Sequence, residues 1–509
     1  MNMLGAMRKN GWRKGLIMLA AVSLLAGCSS GESGGSSPAA GNAGGSSAAP
    51  AANPTLKFLG ISANFDINKQ GIIEEIKRLT GYNVEYYSLP ADKPDEKLNI
   101  EVASGTDKDI LTLSPAQFAQ LSAQGALADI TDLVDKYGAN IKKAVLPESM
   151  ELGKVDGKLL GIPNMRDNIT ISRGIELRTD LMKEYGLTMP TTPEEFYALL
   201  KTVKERDKAI IPLSLSPEWK INTLMSGFTL YGDWNEVDGK LVPLVKMPGM
   251  KDYLSYLVRL YQEGLLDADY AINKGATVNE KFSSGKAFSI YSGWNGVAQT
   301  VPAMKKALPN ATTDFVMPLK DKNGKAGVDV PVGAIRIIAI PKASKNIEHA
   351  VKFMDKQLQR ENPDIFSQLN MGQEGVTYKI ENGQYYLIEP AFSEKYSYTW
   401  WFVTGIDEKV APTMWLGRIR RDPNMFNAYE KLNVSLKELA VYDPIGYMPP
   451  KSDSLKFRQS LQKLESDFVL EVVLGNKKVS DLDAFIKQWD EAGGSQMEKT
   501  VNEWYASHK

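Results

Sequence analysis

The sequence predicts an α/β fold built on parallel strands covered by helices. Three observations carry this expectation. From Thr55 onward, short apolar runs alternate with amphipathic segments of helical period. Capping and turn residues stand between them. The composition, 43% hydrophobic and 24% charged over 509 residues, suffices for ordinary cores without metals or disulfides.

The elements follow in order. Thr55–Ile61 is an apolar run and reads as a buried strand. Gly71–Gly81 places Ile72, Ile73, Ile76 and Leu79 on one helical face, with Gly81 as the C-cap. Asn83–Tyr87 reads as a second strand, Lys97–Ala103 as a helix and Asp109–Leu113 as a third strand. Ser114 and Pro115 start the next helix. This alternation implies a parallel sheet covered on both faces. A second region begins near Thr179. Leu181–Tyr185 opens a helix closed by Gly186, and Thr192-Pro193-Glu194-Glu195 caps another whose apolar face is Phe196, Leu199, Leu200 and Val203. Helices are predicted over Met250–Glu263 and Val278–Ser283, and a strand over Phe288–Tyr291. Phe315–Leu319 and Ile335–Ile340 flank Asp321-Lys322-Asn323-Gly324, a hairpin or tight-turn signal. The last 100 or so residues read as mostly helical.

The amino-terminal segment reads as an address. Arg8, Lys9, Arg13 and Lys14 precede the uncharged apolar run Leu16–Gly27, too short to span a membrane comfortably and suited to a secretory signal over 1–27. The run ends in Leu25-Ala26-Gly27-Cys28, which resembles the lipobox of bacterial lipoproteins; Cys28 is the single cysteine. That resemblance implies a diacylglycerol thioether on Cys28 and anchoring in the cell membrane on its outer face. Loss of the four basic residues takes the formal charge from -1 to about -5. From Cys28 to Pro54 the chain is Gly-, Ser- and Ala-rich with no aromatic residue, a flexible tether spanning about 25–30 Å.

Several chemistries are excluded or weakened. With 60 Lys+Arg against 61 Asp+Glu, nothing suggests a nucleic-acid partner. One cysteine and two histidines argue against zinc sites, thiol redox chemistry and most triads. Asp321–Lys325 lacks the calcium-loop ligands, since Lys325, Ala326 and Val332 stand at the required places. His349 has no ligand partner nearby in sequence, and His508 lies at the end of the chain. No G-x-S-x-G occurs. Paired carboxylates of a glycoside hydrolase remain open, because such pairing is spatial.

Aromatic residues in polar settings carry more information. Trp219 follows Ser216-Pro217-Glu218, and Trp234 lies between Asp233 and Asn235. Trp294 precedes Asn295 in Ser292–Gly296, and Trp400 and Trp401 end the cluster begun by Tyr396. A sugar ring has apolar C–H faces and polar edges, so flat indoles beside amides and carboxylates suit it. Each Trp also has the alternative of core packing.

The chain is similar to extracellular solute-binding proteins of ABC importers, family 1, in the branch of LplA-like lipoproteins and alginate-binding proteins. The similarity rests on Gly105–Ile110, on Leu177–Leu181 with Gly186–Phe196, and on Glu263–Asp267. Gly285-Lys286-Ala287 and Gly372–Tyr378 add to it, while Leu181 stands where that branch commonly has Trp. The resemblance implies two α/β lobes of periplasmic-binding-protein type, 55–165 with about 330–400 and 166–325 with about 401–509, closing on a ligand by a hinge. It implies a monomeric receptor without catalysis, cofactor or metal, which delivers an oligosaccharide to membrane permease subunits. The expected pocket residues are Trp219, Trp234, Trp294, Trp400 and Trp401 for stacking. Asp233, Asn235, Asn295, Glu374, Asn64 and Asp66 are expected to supply hydrogen bonds. Arg166 and Arg173 favour an acidic sugar if they face the cleft, and say nothing if they pair with local acids. A polysaccharide-active enzyme and a peptide or amino-acid receptor remain alternatives.

Overall fold

The computed structural model describes residues 52–165, 170–449 and 457–508. The signal, Cys28, most of the tether and Arg166 lie outside them. Nine strands build two main sheets: β1 (Leu56–Gly60), β2 (Val84–Ser88), β3 (Ile110–Leu113), β4 (Gly161–Met165), β5 (Arg173–Arg178), β6 (Ile211–Ser214), β7 (Ala287–Gly293), β8 (Thr313–Val316) and β9 (Ala334–Ala339). The first sheet has the order β2-β1-β3-β9-β4, the second β8-β5-β7-β6.

The parallel expectation holds for β1, β2 and β3. It fails at β9, which runs antiparallel to both β3 and β4. The chain leaves the first sheet at β4, builds the second, and returns from it, so the returning strand enters against the others. In the second sheet β5 is antiparallel to β7 and β8, and only β6 and β7 run together. Nor do the runs flanking Asp321 form a hairpin: one is β8 and the other β9, in different sheets. The Asn-Gly signal marks a tight turn instead, in which Gly324 N–H donates to the Asp321 carbonyl at 2.9 Å and Gly324 has φ +76°.

Local signals are used as expected elsewhere. Helix Ile72–Thr80 buries Ile72 and Ile76 and ends at Gly81 in the left-handed region. Ser114 forms a reciprocal capping box with Gln117 at the start of Pro115–Ala123. Thr192 caps Pro193–Arg206. His349, on helix Ile347–Gln357, bonds Tyr82 Oη at 3.0 Å, and Tyr82 lies in the loop between Ile72–Thr80 and β2.

Each sheet has its own apolar core. Leu56, Phe58, Ile162 and Ile338 pack on one face of the first sheet, and this core continues through Trp401, Phe402 and Val403 to Met414. Leu59, Leu111, Phe118 and Ile337 fill the other face. The second core takes in Phe196, Leu213, Tyr253 and Phe288, and then the carboxy-terminal Phe468, Val472, Trp489 and Val501. A charged network secures that last segment: Lys220 Nζ meets Asp233 Oδ1 at 2.5 Å and Glu465 Oε2 at 3.3 Å, while Trp489 Nε1 donates to Glu465 Oε1 at 3.0 Å.

Two positions give tests of this packing. A Cβ on Gly60 would stand 2.5 Å from Trp401 Cζ2. Gly60→Val is expected to cost about 1–3 kcal/mol in denaturant unfolding; unchanged stability would contradict this packing. Glu176, on β5, is fully buried and accepts from Ser292 Oγ at 2.7 Å through Oε2. Burial raises its pKa above the ordinary carboxylate range. The folded state therefore keeps this proton where the unfolded chain has lost it. Its contribution is fully present below the unfolded value of about 4.3 and is lost as pH rises through the folded value. Glu176→Gln should flatten that part of the stability–pH curve; identical slopes for variant and parent would refute it.

Candidate functional site

Between the two sheets lies a cavity of about 360 Å³. Trp294 and Asn295 enter it from the turn that follows β7. Ile335 and Arg336 enter from β9, and Trp400 from the short helix Thr399–Phe402. Trp415, Arg418 and Arg421 come from helix Ala411–Arg420 and its C-cap.

The register explains the floor. Ala334 pairs with Met165 and Arg336 with Asn164, so Ile335 is an extra residue, a β-bulge. Arg336 and Asn164 are cross-strand partners and share a sheet face with Ile338 and Ile162. That face begins as core and continues as cavity floor. Arg336 is 7% exposed, its guanidinium carbon 5.7 Å from the centre of the Trp400 ring. Trp400 itself is 43% exposed. Trp294 is held edgewise by Trp415 at 5.2 Å and Tyr429 at 5.9 Å. Its Nε1 is buried without a hydrogen-bond partner, as are both side-chain polar atoms of Asn164. Buried polar atoms ordinarily find partners, so such orphans beside a cavity mark where a ligand or water bonds.

Of the residues expected from sequence, Trp294, Asn295 and Trp400 are brought together here. Trp401, one residue on from Trp400, is 1% exposed; its indole packs over Gly60 and donates to the Ile61 carbonyl at 3.2 Å. Trp219 is 3% exposed in the second core, and its carbonyl accepts from Tyr253 Oη. Neither indole is available as a platform, because each fills the space beneath its own sheet. Trp234 and Asp233 line a different cavity of about 420 Å³, which shares Ile335 with the first. Asp233 is taken up by Lys220, Arg458 and Gln462. Burial works against its charge, but Lys220 outweighs it and keeps the carboxyl below its ordinary range. The Asn235 amide closes its own turn through Tyr231 N and the Gly232 carbonyl.

Glu374 lies in a separate groove with Arg360 and Tyr378. Asn64 is exposed, and Asp66 caps a 3₁₀ turn by accepting from Asn68 N at 3.1 Å. Between them Phe65 stacks on Tyr398 at 4.0 Å, which ties that loop to the Trp400 segment. Arg173 pairs with Glu218 at 2.6 Å and covers Tyr291, the local-acid alternative. Sequence reasoning missed Arg336 and the stripe Trp415, Arg418, Arg421, whose spacing of three residues was visible along one helical face.

Comparison with known proteins agrees with this architecture. The family described as bacterial extracellular solute-binding protein matches residues 63–362. The polygalacturonan/rhamnogalacturonan-binding protein YtcQ of Bacillus subtilis (strain 168) is 25% identical, over 98% of this chain and 100% of its own. Among solved structures, the alginate-binding protein AlgQ2 superposes with a TM-score of 0.70 at 19% identity, covering 89% of this chain and 98% of that one. The S. pneumoniae ABC-transporter substrate binding protein FusA, in complex with fructo-nystose, gives 0.67 at 18% identity, covering 89% and 99%. The two-lobed fold and the match over most of the chain place this protein in the bacterial extracellular solute-binding protein family.

Proposed function

We propose that the chain is the receptor of an ABC importer and captures an oligosaccharide in the cavity that holds Trp294 and Trp400. One observation carries the reading. Two indoles from opposite lobes share a cavity in which the Trp294 N–H has no protein partner, with the equally unpartnered Asn164 amide beside its floor. An apolar face with orphaned polar atoms around it matches the two-sided chemistry of a sugar ring. The cavity volume falls in the range of about 300–1,000 Å³ usual for small ligands. YtcQ is named a polygalacturonan/rhamnogalacturonan-binding protein, and FusA an ABC-transporter substrate binding protein in complex with fructo-nystose.

In this reading β4 and β9, paired side by side, form two of the crossings about which the lobes turn. Ligand contacts made only when the lobes approach shift the population toward the closed form. The closed, loaded receptor docks on the permease subunits as a monomer and does no covalent chemistry. Asn295 would bond sugar hydroxyls at the rim. Cys28 would carry the lipid, and the following Gly/Ser/Ala tether would give the receptor its reach.

The test is a thermal-shift screen of the chain from Asn53 onward, a compact unit by itself, against oligosaccharides, amino acids and short peptides. A sugar at 100 times its Kd adds about 2.7 kcal/mol of stability and is recovered intact. A response to peptides alone would overturn the reading, and consumption of the sugar would replace it with an enzyme. Trp400→Ala should weaken sugar binding about 10- to 100-fold with stability nearly kept. Trp401→Ala should instead lower stability by about 3–5 kcal/mol. Loss of membrane association in Cys28→Ser, by fractionation, tests the anchor.

A further inference from the structure

We propose that Asn382 is a site of spontaneous covalent modification in the folded protein. It converts to aspartate and isoaspartate through a cyclic imide, while the fold shields Asn295 and Asn323 from the same reaction. The inference is independent of the sugar reading. Three Asn-Gly pairs occur among the described residues: Asn295-Gly296, Asn323-Gly324 and Asn382-Gly383. Glycine after asparagine leaves the next backbone nitrogen unhindered, because no Cβ stands beside it. All three asparagines are exposed. Sequence and exposure therefore do not distinguish them.

The chemistry is an internal substitution. The glycine backbone nitrogen gives its proton to a buffer base and attacks Cγ of the asparagine side chain. The N–Cγ bond forms, the Cγ–Nδ2 bond breaks, and ammonia leaves. Water then opens the ring at either carbonyl. Cleavage of the new bond gives aspartate. Cleavage of the old peptide bond gives isoaspartate, in which the main chain runs through the side chain. The balance is amide plus water to carboxylate plus ammonium, with no change in oxidation state.

The glycine N–H separates the three pairs. A proton held by a carbonyl must first lose that bond before the nitrogen can ionise and turn on the side chain. Gly296 N–H donates to the Gly293 carbonyl at 2.8 Å, and Gly324 N–H to the Asp321 carbonyl at 2.9 Å. The asparagines there are held as well. Asn295 Oδ1 lies against Gly293, 2.5 Å from where a Cβ would stand, and Asn323 N–H donates to Asp321 Oδ1 at 2.8 Å. Asn382 and Gly383 instead form the two-residue loop of the hairpin Tyr378–Glu381 and Gln384–Leu387, in which Glu381 pairs with Gln384. Both have positive φ, 52° and 75°, as such a tight turn requires. Neither the Gly383 N–H nor the Asn382 carboxamide has a hydrogen-bond partner among the described residues. A Cβ built on Gly383 meets nothing within 4 Å, so the ring closes there without displacing a neighbour. Conversion of Asn295 would place a carboxylate in the cavity of Trp294 and Trp400. The bonded Gly296 N–H guards against that change, and the chemical wear falls on the hairpin tip.

The experiment ages the purified protein in warm, mildly alkaline buffer, with a parallel sample in urea, and follows each Asn-Gly pair by peptide mapping and mass spectrometry. In the folded sample Asn382 should convert about three- to tenfold faster than Asn323 and Asn295, the rate factor that one retained hydrogen bond represents. Its rate should rise with pH, since the ionised nitrogen is the attacking form. In urea the three rates should converge. Asn382→Asp, which tolerates the left-handed backbone, should abolish most of the acidic isoform that accumulates on isoelectric focusing, because an aspartate there can isomerise but gains no charge. Conversion of Asn295 or Asn323 in the folded protein as fast as that of Asn382 would overturn the inference. So would an Asn382 that stays intact in the fold while it reacts in urea.

Discussion

The antiparallel insertion of β9 between β3 and β4 is the constraint on which the rest depends. It joins the two ends of the excursion that builds the second lobe, because Ala334 and Met165 are direct partners. Both connections therefore leave the first sheet side by side. The bulge at Ile335 occurs at that junction. It adds one residue to β9 without displacing the core pairs Ile338–Ile162 and Ile337–Pro163, and it leaves Ile335 in the walls of two cavities. A strand that is core at one end thereby becomes cavity wall at the other.

Much of the fold was legible in sequence, and the reasons are local. Apolar runs bounded by caps and glycines locate β1, β2, β3 and the helices between them, since those signals act over a few residues. Strand direction is not local. Nothing within Ala334–Ala339 records that the chain arrives from the other lobe, and the Asn-Gly beside Asp321 looks the same whether it joins neighbouring strands or strands in different sheets. The core of the first sheet likewise runs on through Phe402 and Val403 to Met414, with Trp401 filling space that Gly60 leaves open.

The site was legible in part for a related reason. Polar neighbours were read as signs of a binding aromatic, and those around Trp294 do accompany a residue that lines a cavity. Around Trp234 the same residues serve the protein itself: Asn235 closes a turn and Asp233 holds the carboxy-terminal helix through Lys220 and Arg458. Trp400 and Trp401 share one helical turn and opposite fates, for successive side chains on a helix point about 100° apart. Composition cannot separate them; only the packing surface beneath decides. The arginines were missed because charge at the cavity comes from segments far apart in the chain.

The same strand insertion dictates an order of assembly. Residues 56 to 165 emerge from the ribosome with β1, β2, β3 and β4 complete, yet β3 and β4 have no neighbour between them until residue 334 has been made. For that interval Leu111, Leu113 and Ile162 belong to a sheet with a missing central strand, and their backbone groups offer a template to any extended segment nearby. The first lobe cannot finish folding before the second lobe has been synthesised. Long-range closure of this kind is slow. A chain with such a delay stays open and threadable well after its first strands exist.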